Sequence, residues 1–155
     1  MRQSVFITFM LIVSVARAAD KPSCSMTECA AGSAVVSYAK KGDGYFACPT
    51  MELSDYGNYV LSVMAISMIF TGHIPNISPV TGDPEQEGES KAILDGLRAR
   101  AKVTTFDEAV SACKEGKNGL RLRVANNPKA SLSIWVFNDK KQESFWMPKS
   151  HVDPR

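Results

Sequence analysis

The stretch YVLSVMAISMIFTG, residues 59–72, constrains the fold most strongly, because a segment this apolar has to be buried in a protein core or in a membrane. Residues 59–70 carry no charge, and Glu52 and Asp55 lie just upstream. Such a helical segment covers roughly 18 Å, whereas a membrane-spanning helix needs ~20 apolar residues to cross about 30 Å. The length therefore predicts a central helix that is buried in a protein core.

Signals for this helix occur at both of its ends. Thr50, which follows Pro49, is a good N-cap, and Glu52 places a negative charge in the first turn, where the helix dipole favours it. Apolar residues then recur at intervals of three and four, and Gly72 is suited to the left-handed C-cap. The sequence thus predicts one continuous helix between Pro49 and Gly72.

The first twenty residues, MRQSVFITFMLIVSVARAAD, have the three parts of a secretory signal peptide. A positive start precedes an apolar run, residues 5–15, and the small-residue sequence Ala16-Arg17-Ala18 follows. A retained membrane anchor is the alternative, but the apolar run is too short to span a bilayer. We expect cleavage after Ala18 and a protein that resides in the periplasm or outside the cell.

The remaining chain suits a single exported domain. Removal of residues 1–18 from the 155-residue chain leaves 137 residues, and we expect residues 19–155 to form one domain. The chain has 18 basic and 16 acidic side chains, and Arg2 and Arg17 belong to the leader, so the rest is near neutral. Nucleic-acid binding relies on clustered Lys and Arg. We therefore expect no nucleic-acid partner.

Four cysteines follow the leader: Cys24, Cys29, Cys48 and Cys113. In an exported protein, an even number this small predicts disulfide bonds, for which three pairings are possible. A bond from Cys48 to Cys24 or Cys29 would tie the N-terminal segment to the strands that follow it. A zinc site is the alternative, but the spacings match no zinc-finger or zinc-ribbon pattern.

Short β-prone pieces on either side of KKGDG, residues 34–39 and 44–48, predict an N-terminal β-hairpin. Residues 73–90 hold three prolines, two glycines and four acidic residues, and a connection this long is usually a binding loop, a lid or a linker. We expect His73 and Asn76 to contribute to binding there. The acidic half of this loop lacks the EF-hand pattern and is expected to be solvated.

Two shorter helices are expected after the loop. The first, residues 91–103, has an inward face made of Ile93, Leu94, Leu97 and Ala101. The second opens with a capping box from Thr105 to Glu108, and its inward face includes Cys113.

From Gly119 onward, apolar and polar residues alternate with the period of a β-strand. The pattern predicts three antiparallel strands in a C-terminal β sub-lobe, residues 119–155, and hence an α+β fold stapled by disulfides. The sequence FWMPKSHVDP resembles the closing hairpin and 3₁₀ turn of small SH3-like barrels through Met147, Pro148 and Val152. This resemblance covers residues 130–154 and implies a barrel that the N-terminal hairpin would have to complete.

One predicted strand, SLSIWVF, is apolar on both faces. Leu132, Ile134 and Val136 lie on one side, and Trp135 and Phe137 lie on the other. The second side packs either against the central helix or against a partner protein. In the second interpretation, a binding surface combines these two residues with Trp146, Arg121 and Arg123, which are residue types favoured in interfaces.

No motif points to catalysis or to a cofactor. The sequence lacks G-x-S-x-G, H-E-x-x-H, a P-loop and G-x-G-x-x-G. Its two histidines, His73 and His151, are not at ligand spacing, so a metal site with Asp153 or Glu85 would have to be assembled by the fold. We expect no catalytic residues, no metal and no cofactor.

These patterns together predict an exported, non-enzymatic binding protein: an inhibitor, an immunity-type factor or an accessory subunit of an envelope complex. Its partner would be a protein or peptide in the envelope or outside the cell, without stable membrane insertion. Two alternatives remain open. One is a small secreted hydrolase, for example a Cys–His enzyme based on Cys48 or Cys113, and the other is a membrane-associated protein held by residues 59–70.

Overall fold

The computed structural model describes residues 22–38 and 44–155, so the predicted leader lies outside the described residues. The helices are α1 (Met51–Thr71), α2 (Gly88–Ala101) and α3 (Phe106–Ser111), with a 3₁₀ turn at Lys149–His151. The strands are β1 (Ala34–Ser37), β2 (Phe46–Ala47), β3 (Lys114–Glu115), β4 (Arg121–Asn126), β5 (Ser133–Asn138), β6 (Glu143–Pro148) and β7 (Val152–Pro154). The predicted α+β class is confirmed.

Five strands form one antiparallel sheet in the order β6-β5-β4-β1-β7, and β2 pairs with β3 in a second sheet. The inward side chains of the larger sheet pack in the main core with Tyr45 and with the Cys24–Cys29 disulfide: Val35, Leu122, Val124, Ile134, Val136, Met147 and Val152. The three predicted C-terminal strands are present as β4, β5 and β6. Leu132, predicted to lie on the same side of the strand as Ile134 and Val136, is exposed and precedes β5, which begins at Ser133.

The two N-terminal strands form, but they do not pair with each other as a hairpin. Strand β1 pairs with β4 and β7, and β2 pairs with β3. Residues 39–43, which include most of the predicted turn, lie outside the described residues. Strands β1 and β2 pair with strands far away in the chain because they pack in different parts of the molecule. Val35 of β1 belongs to the main core, whereas Phe46 of β2 packs against Phe106 of α3.

Helix α1 has both predicted caps. The Thr50 hydroxyl accepts a hydrogen bond from the Leu53 N–H at 3.3 Å, and Gly72 ends the helix at a φ of 74°. The first half of α1 is buried. Its Tyr56 and Val60 are fully enclosed in a second core cluster with three residues from α2 and α3: Leu94, Leu97 and Ala109.

The prediction that residues 59–70 are buried is wrong for the second half of that stretch. Met64 still packs against the second core cluster, but Ile66, Met68, Ile69 and Phe70 are exposed. Among the described elements, α2 and α3 cover the first half of α1 and leave its last two turns open to solvent. No helix in the described part of the chain is long and apolar enough to cross a membrane.

The long loop ends earlier than predicted because α2 already begins at Gly88. Asp83, predicted to be solvated, is buried, where its carboxylate accepts hydrogen bonds from the Tyr56 hydroxyl at 2.5 Å and from the Arg98 guanidinium. Burial raises the pKa of Tyr56, and the hydrogen bond to Asp83 raises it further. This linkage holds the loop to α1 and α2.

On α2, Leu94 and Leu97 are buried as predicted, but Ile93 is exposed.

All four cysteines form disulfides, as predicted, with the pairing Cys24–Cys29 and Cys48–Cys113. The suggested bond from Cys48 to Cys24 or Cys29 is therefore wrong. Cys48 follows β2 and Cys113 precedes β3, so the antiparallel pairing of these two strands brings their sulfur atoms together.

The C-terminal segment contains the 3₁₀ turn that the likeness to SH3-like barrels implies, and β7 follows it directly. Strand β7 pairs with β1, so β6 and β7 are the two edges of the five-stranded sheet. The described residues form an open sheet, and a closed barrel is not seen among them.

Candidate functional site

Four of the predicted binding residues meet on the outer face of the five-stranded sheet. The register places Trp135 of β5 opposite Trp146 of β6, and Phe137 of β5 opposite Arg123 of β4. The two indole rings stack with their centroids 5.9 Å apart and an interplanar angle of 14°, and Arg123 Cζ lies 5.5 Å from the Phe137 ring centroid. These four residues and the exposed Arg121 on β4 are called the aromatic face below.

Backbone hydrogen bonding explains why the two tryptophans approach so closely. Trp146 directs its N–H and its C=O to Cys48, at 2.8 and 2.9 Å, instead of to β5. Trp135 and Trp146 therefore form a non-hydrogen-bonded pair of the antiparallel ladder, in which side chains come closer than in a hydrogen-bonded pair. The stack follows from the strand register.

The aromatic face is partly open to solvent. Trp135 is 38% exposed, whereas Trp146 is half-buried and also lines a shallow groove beside Met51, in the first turn of α1. Arg123 pairs with Asp139, and an exposed ion pair of this kind contributes at most ~1 kcal/mol. The face therefore presents an arginine and an indole that are not enclosed by the fold.

Of the other two predicted binding residues, His73 lies near the opposite end of α1, and Asn76 lies in the long loop, where its carbonyl accepts a hydrogen bond from the Glu85 N–H. Trp146 borders the first turn of α1, and His73 follows Gly72 at the C-terminus of the helix. A helix of 21 residues is about 30 Å long. The structure thus separates the start of the long loop from the aromatic face, so the two do not form one surface.

The exposed end of α1 is a second surface, which the sequence reasoning missed. Residues Ile66, Met68, Ile69 and Ile74 line a groove of about 510 Å³, and His151 of the 3₁₀ turn contributes to its lining. Phe70, next to Ile69 on the helix, is 83% exposed. Ile66, Met68, Ile69, Phe70 and Ile74 are called the apolar tip below.

A cluster of buried polar groups anchors the first half of α1 to the start of β5. The Ser131 hydroxyl donates to the Asp55 carboxylate at 2.9 Å, and the hydroxyl oxygens of Ser54 and Ser133 lie 2.8 Å apart. Lys149 Nζ donates to a backbone carbonyl, that of Pro128, at 2.6 Å. Burial lowers the pKa of Lys149, although the nearby Asp55 acts in the opposite direction. Because these polar groups are hydrogen-bonded within the protein, we infer that the cluster holds α1 against β5 and does not bind a ligand.

The cysteines and histidines that the sequence analysis considered for catalysis or metal binding have other roles or positions in the fold. All four cysteines are in disulfides, so a Cys–His site on Cys48 or Cys113 would first require reduction. Within residues 22–38 and 44–155, no group of three or more His, Cys, Asp or Glu side chains could hold a metal ion. His151 packs against the Tyr45 ring, with 5.2 Å between ring centroids, and His73 is exposed just beyond α1.

No protein-family model, curated protein or solved structure matches this chain significantly. The likeness of residues 130–154 to SH3-like barrels therefore has no support from these comparisons.

Proposed function

We propose that this chain is an exported protein that acts by binding another protein, and that the aromatic face makes the contact. The stack of Trp135 on Trp146, partly exposed on the outer side of the sheet, is the observation that carries this proposal. Tryptophan and arginine dominate the residues that contribute most to protein–protein affinity. The face holds two tryptophans, Arg123 lies opposite Phe137, and Arg121 lies two residues from Arg123 on the same side of β4.

The face is arranged before any partner arrives, which lowers the entropy cost of binding. Strand β5, which carries Trp135 and Phe137, is hydrogen-bonded to β4 on one side and to β6 on the other. Arg123 is oriented by the Phe137 ring and by Asp139. A protein partner would therefore meet side chains whose positions the sheet already defines.

Export is supported by two independent features. Residues 1–18 have the composition of a cleavable leader. The two disulfides are consistent with an extracellular or periplasmic protein, because such bonds persist in oxidising compartments. We place the partner in the same compartment, in the envelope or outside the cell, where an inhibitor, an immunity-type factor or an accessory subunit would act. No observation favours the alternative of a secreted hydrolase.

Affinity measurement with one substitution tests this function. The protein is used as bait on envelope and extracellular fractions of its native host, and the captured partner is then titrated. Trp135→Ala should keep the wild-type far-UV circular dichroism and lose about 30-fold in affinity, because removal of a hot-spot side chain costs about 2 kcal/mol or more.

Leu132→Ala is the matched control, since it removes an exposed apolar side chain that lies just before β5 and outside the aromatic face. This variant should bind the partner like the wild type. Unchanged partner affinity in Trp135→Ala would refute the proposal. An unfolded Trp135→Ala protein would also refute it, because Trp135 would then be part of the core.

A further inference from the structure

We propose that the apolar tip docks on the tip of a second copy of this chain, so that the protein is a two-fold symmetric dimer. The proposal is independent of the aromatic face, because the tip lies at the far end of α1. Its starting point is the exposure of Ile69 and Phe70, at 75% and 83%, on a capped and hydrogen-bonded helix. Contiguous exposed apolar side chains mark interaction surfaces.

The charge pattern favours a second copy as the occupant. No Asp, Glu, Lys or Arg occurs between Tyr56 and Gly82. At a two-fold axis a patch meets its own copy, so any charged side chain near the axis would face a like charge. Two copies of the apolar tip can therefore pack together without repulsion between like charges. A partner with a charged surface would find no opposite charge on the tip to pair with.

The shape of the tip is also suited to pairing with itself. Phe70 projects at the end of the helix, and the neighbouring Ile69 lines the groove with Met64, Met68 and Ile74. A two-fold contact requires that one patch supply both the projection and the recess. Two copies with their α1 ends crossed would each place Phe70 in the groove of the other. Antiparallel crossing also sets the two helix dipoles in opposite directions.

Lipid fits the tip less well than protein does. The last turn of α1 has no basic side chain. Helices that lie on membranes usually carry Lys or Arg near their apolar face.

The interface would be small. Stable interfaces use about 20–30 residues on each side, and the tip with its groove offers fewer than that. We therefore expect a dissociation constant in the micromolar range, roughly 1–100 μM.

Sedimentation velocity over a concentration series tests the dimer, with the oxidised protein and with its N-terminus confirmed by mass spectrometry. Phe70→Asp should weaken dimerisation at least ~100-fold, because it removes the projecting ring and sets two carboxylates near the axis. Val80→Asp is the charge-matched control, since Val80 is 78% exposed and does not line the groove. It should dimerise like the wild type, and circular dichroism should show that both variants are folded.

Three results would overturn the proposal. The first is a wild-type protein that stays monomeric up to several hundred micromolar. The second is a dimer that Phe70→Asp leaves intact, or that Val80→Asp weakens equally. The third is a monomer that floats with phosphatidylcholine vesicles and loses this behaviour in Phe70→Asp, which would assign the tip to a membrane surface. Failure of the aromatic face in its own test leaves this measurement unaffected.

Discussion

At the scale of single residues, the fold depends on a close approach between the loop before β4 and a buried aromatic ring. A Cβ atom on Gly116 would lie 2.3 Å from the ring of Tyr45. That ring is 2% exposed, and its hydroxyl donates a hydrogen bond to the Lys117 carbonyl at 2.6 Å. The Gly116 N–H in turn donates to the Tyr45 carbonyl at 2.7 Å. The ring is held on several sides and cannot move away from an added methyl group.

Replacement of Gly116 by alanine should therefore destabilise the protein. We expect Gly116→Ala to lower the free energy of unfolding by about 1–3 kcal/mol, the usual cost of forcing an extra group into a packed site. Urea unfolding measures this value. Gly96→Ala is the matched control, because Gly96 lies within α2 with no neighbouring atom within 4 Å of its added Cβ, and it should gain about 0.5–1 kcal/mol. Equal effects at both positions would contradict the packing around Tyr45.

At the scale of elements, α1 is one helix with two different environments. Its first half packs against α2 and α3 around Tyr56 and Val60, and the buried Asn58 side chain adds hydrogen bonds to both the N–H and the C=O of Phe46 in β2. Its second half exposes Ile69 and Phe70. The same apolar composition therefore contributes to folding in one half and is available for association in the other.

Truncation of one apolar side chain in each half distinguishes these roles. Val60→Ala should lower the free energy of unfolding by about 2 kcal/mol, because Val60 is fully buried. Ile69→Ala removes more apolar surface but should change the stability of the monomer by no more than about 0.5 kcal/mol. Denaturant unfolding at submicromolar protein concentration measures both values. A loss in Ile69→Ala as large as that in Val60→Ala would show that the end of α1 is covered within the monomer.

At the scale of the whole molecule, two disulfides constrain the chain over very different distances. Cys24–Cys29 joins residues separated by 5 positions and belongs to the main core. Cys48–Cys113 joins residues separated by 65 positions, and the chain between them contains α1, the long loop, α2 and α3. Because β2 and β3 meet beside the second bond, it closes the helical part of the molecule at its junction with β6.

Removal of each bond in turn should show this difference. In the loop-entropy description, the Cys48→Ala/Cys113→Ala variant should lose about 4 kcal/mol of stability, and Cys24→Ala/Cys29→Ala about 2 kcal/mol. Denaturant unfolding of the oxidised parent and of both variants measures the losses. A larger loss from the short-range pair would mean that native packing around the main core, and not chain entropy, dominates the contribution of these bonds.

Local patterns were sufficient for the features that depend on neighbouring residues. Thr50 and Gly72 mark the ends of α1, the alternation around Ile134 and Val136 predicts β5, and an even cysteine count predicts disulfides, because caps, periodicity and composition act over a few residues. The placement of Trp135 and Phe137 on the side of β5 opposite Ile134 and Val136 follows from the same alternation.

The partners of these elements depend on contacts between residues far apart in the chain, and local patterns carry no information about them. Strand β1 pairs with β4 and β7 instead of β2, and Cys48 meets Cys113, because β2 and β3 come together across the helices. The end of α1 is as apolar as its middle, so no pattern shows that α2 and α3 stop short of Ile69 and Phe70. Whether an apolar side chain stabilises the fold or remains available to a partner was therefore set by which distant element packs over it.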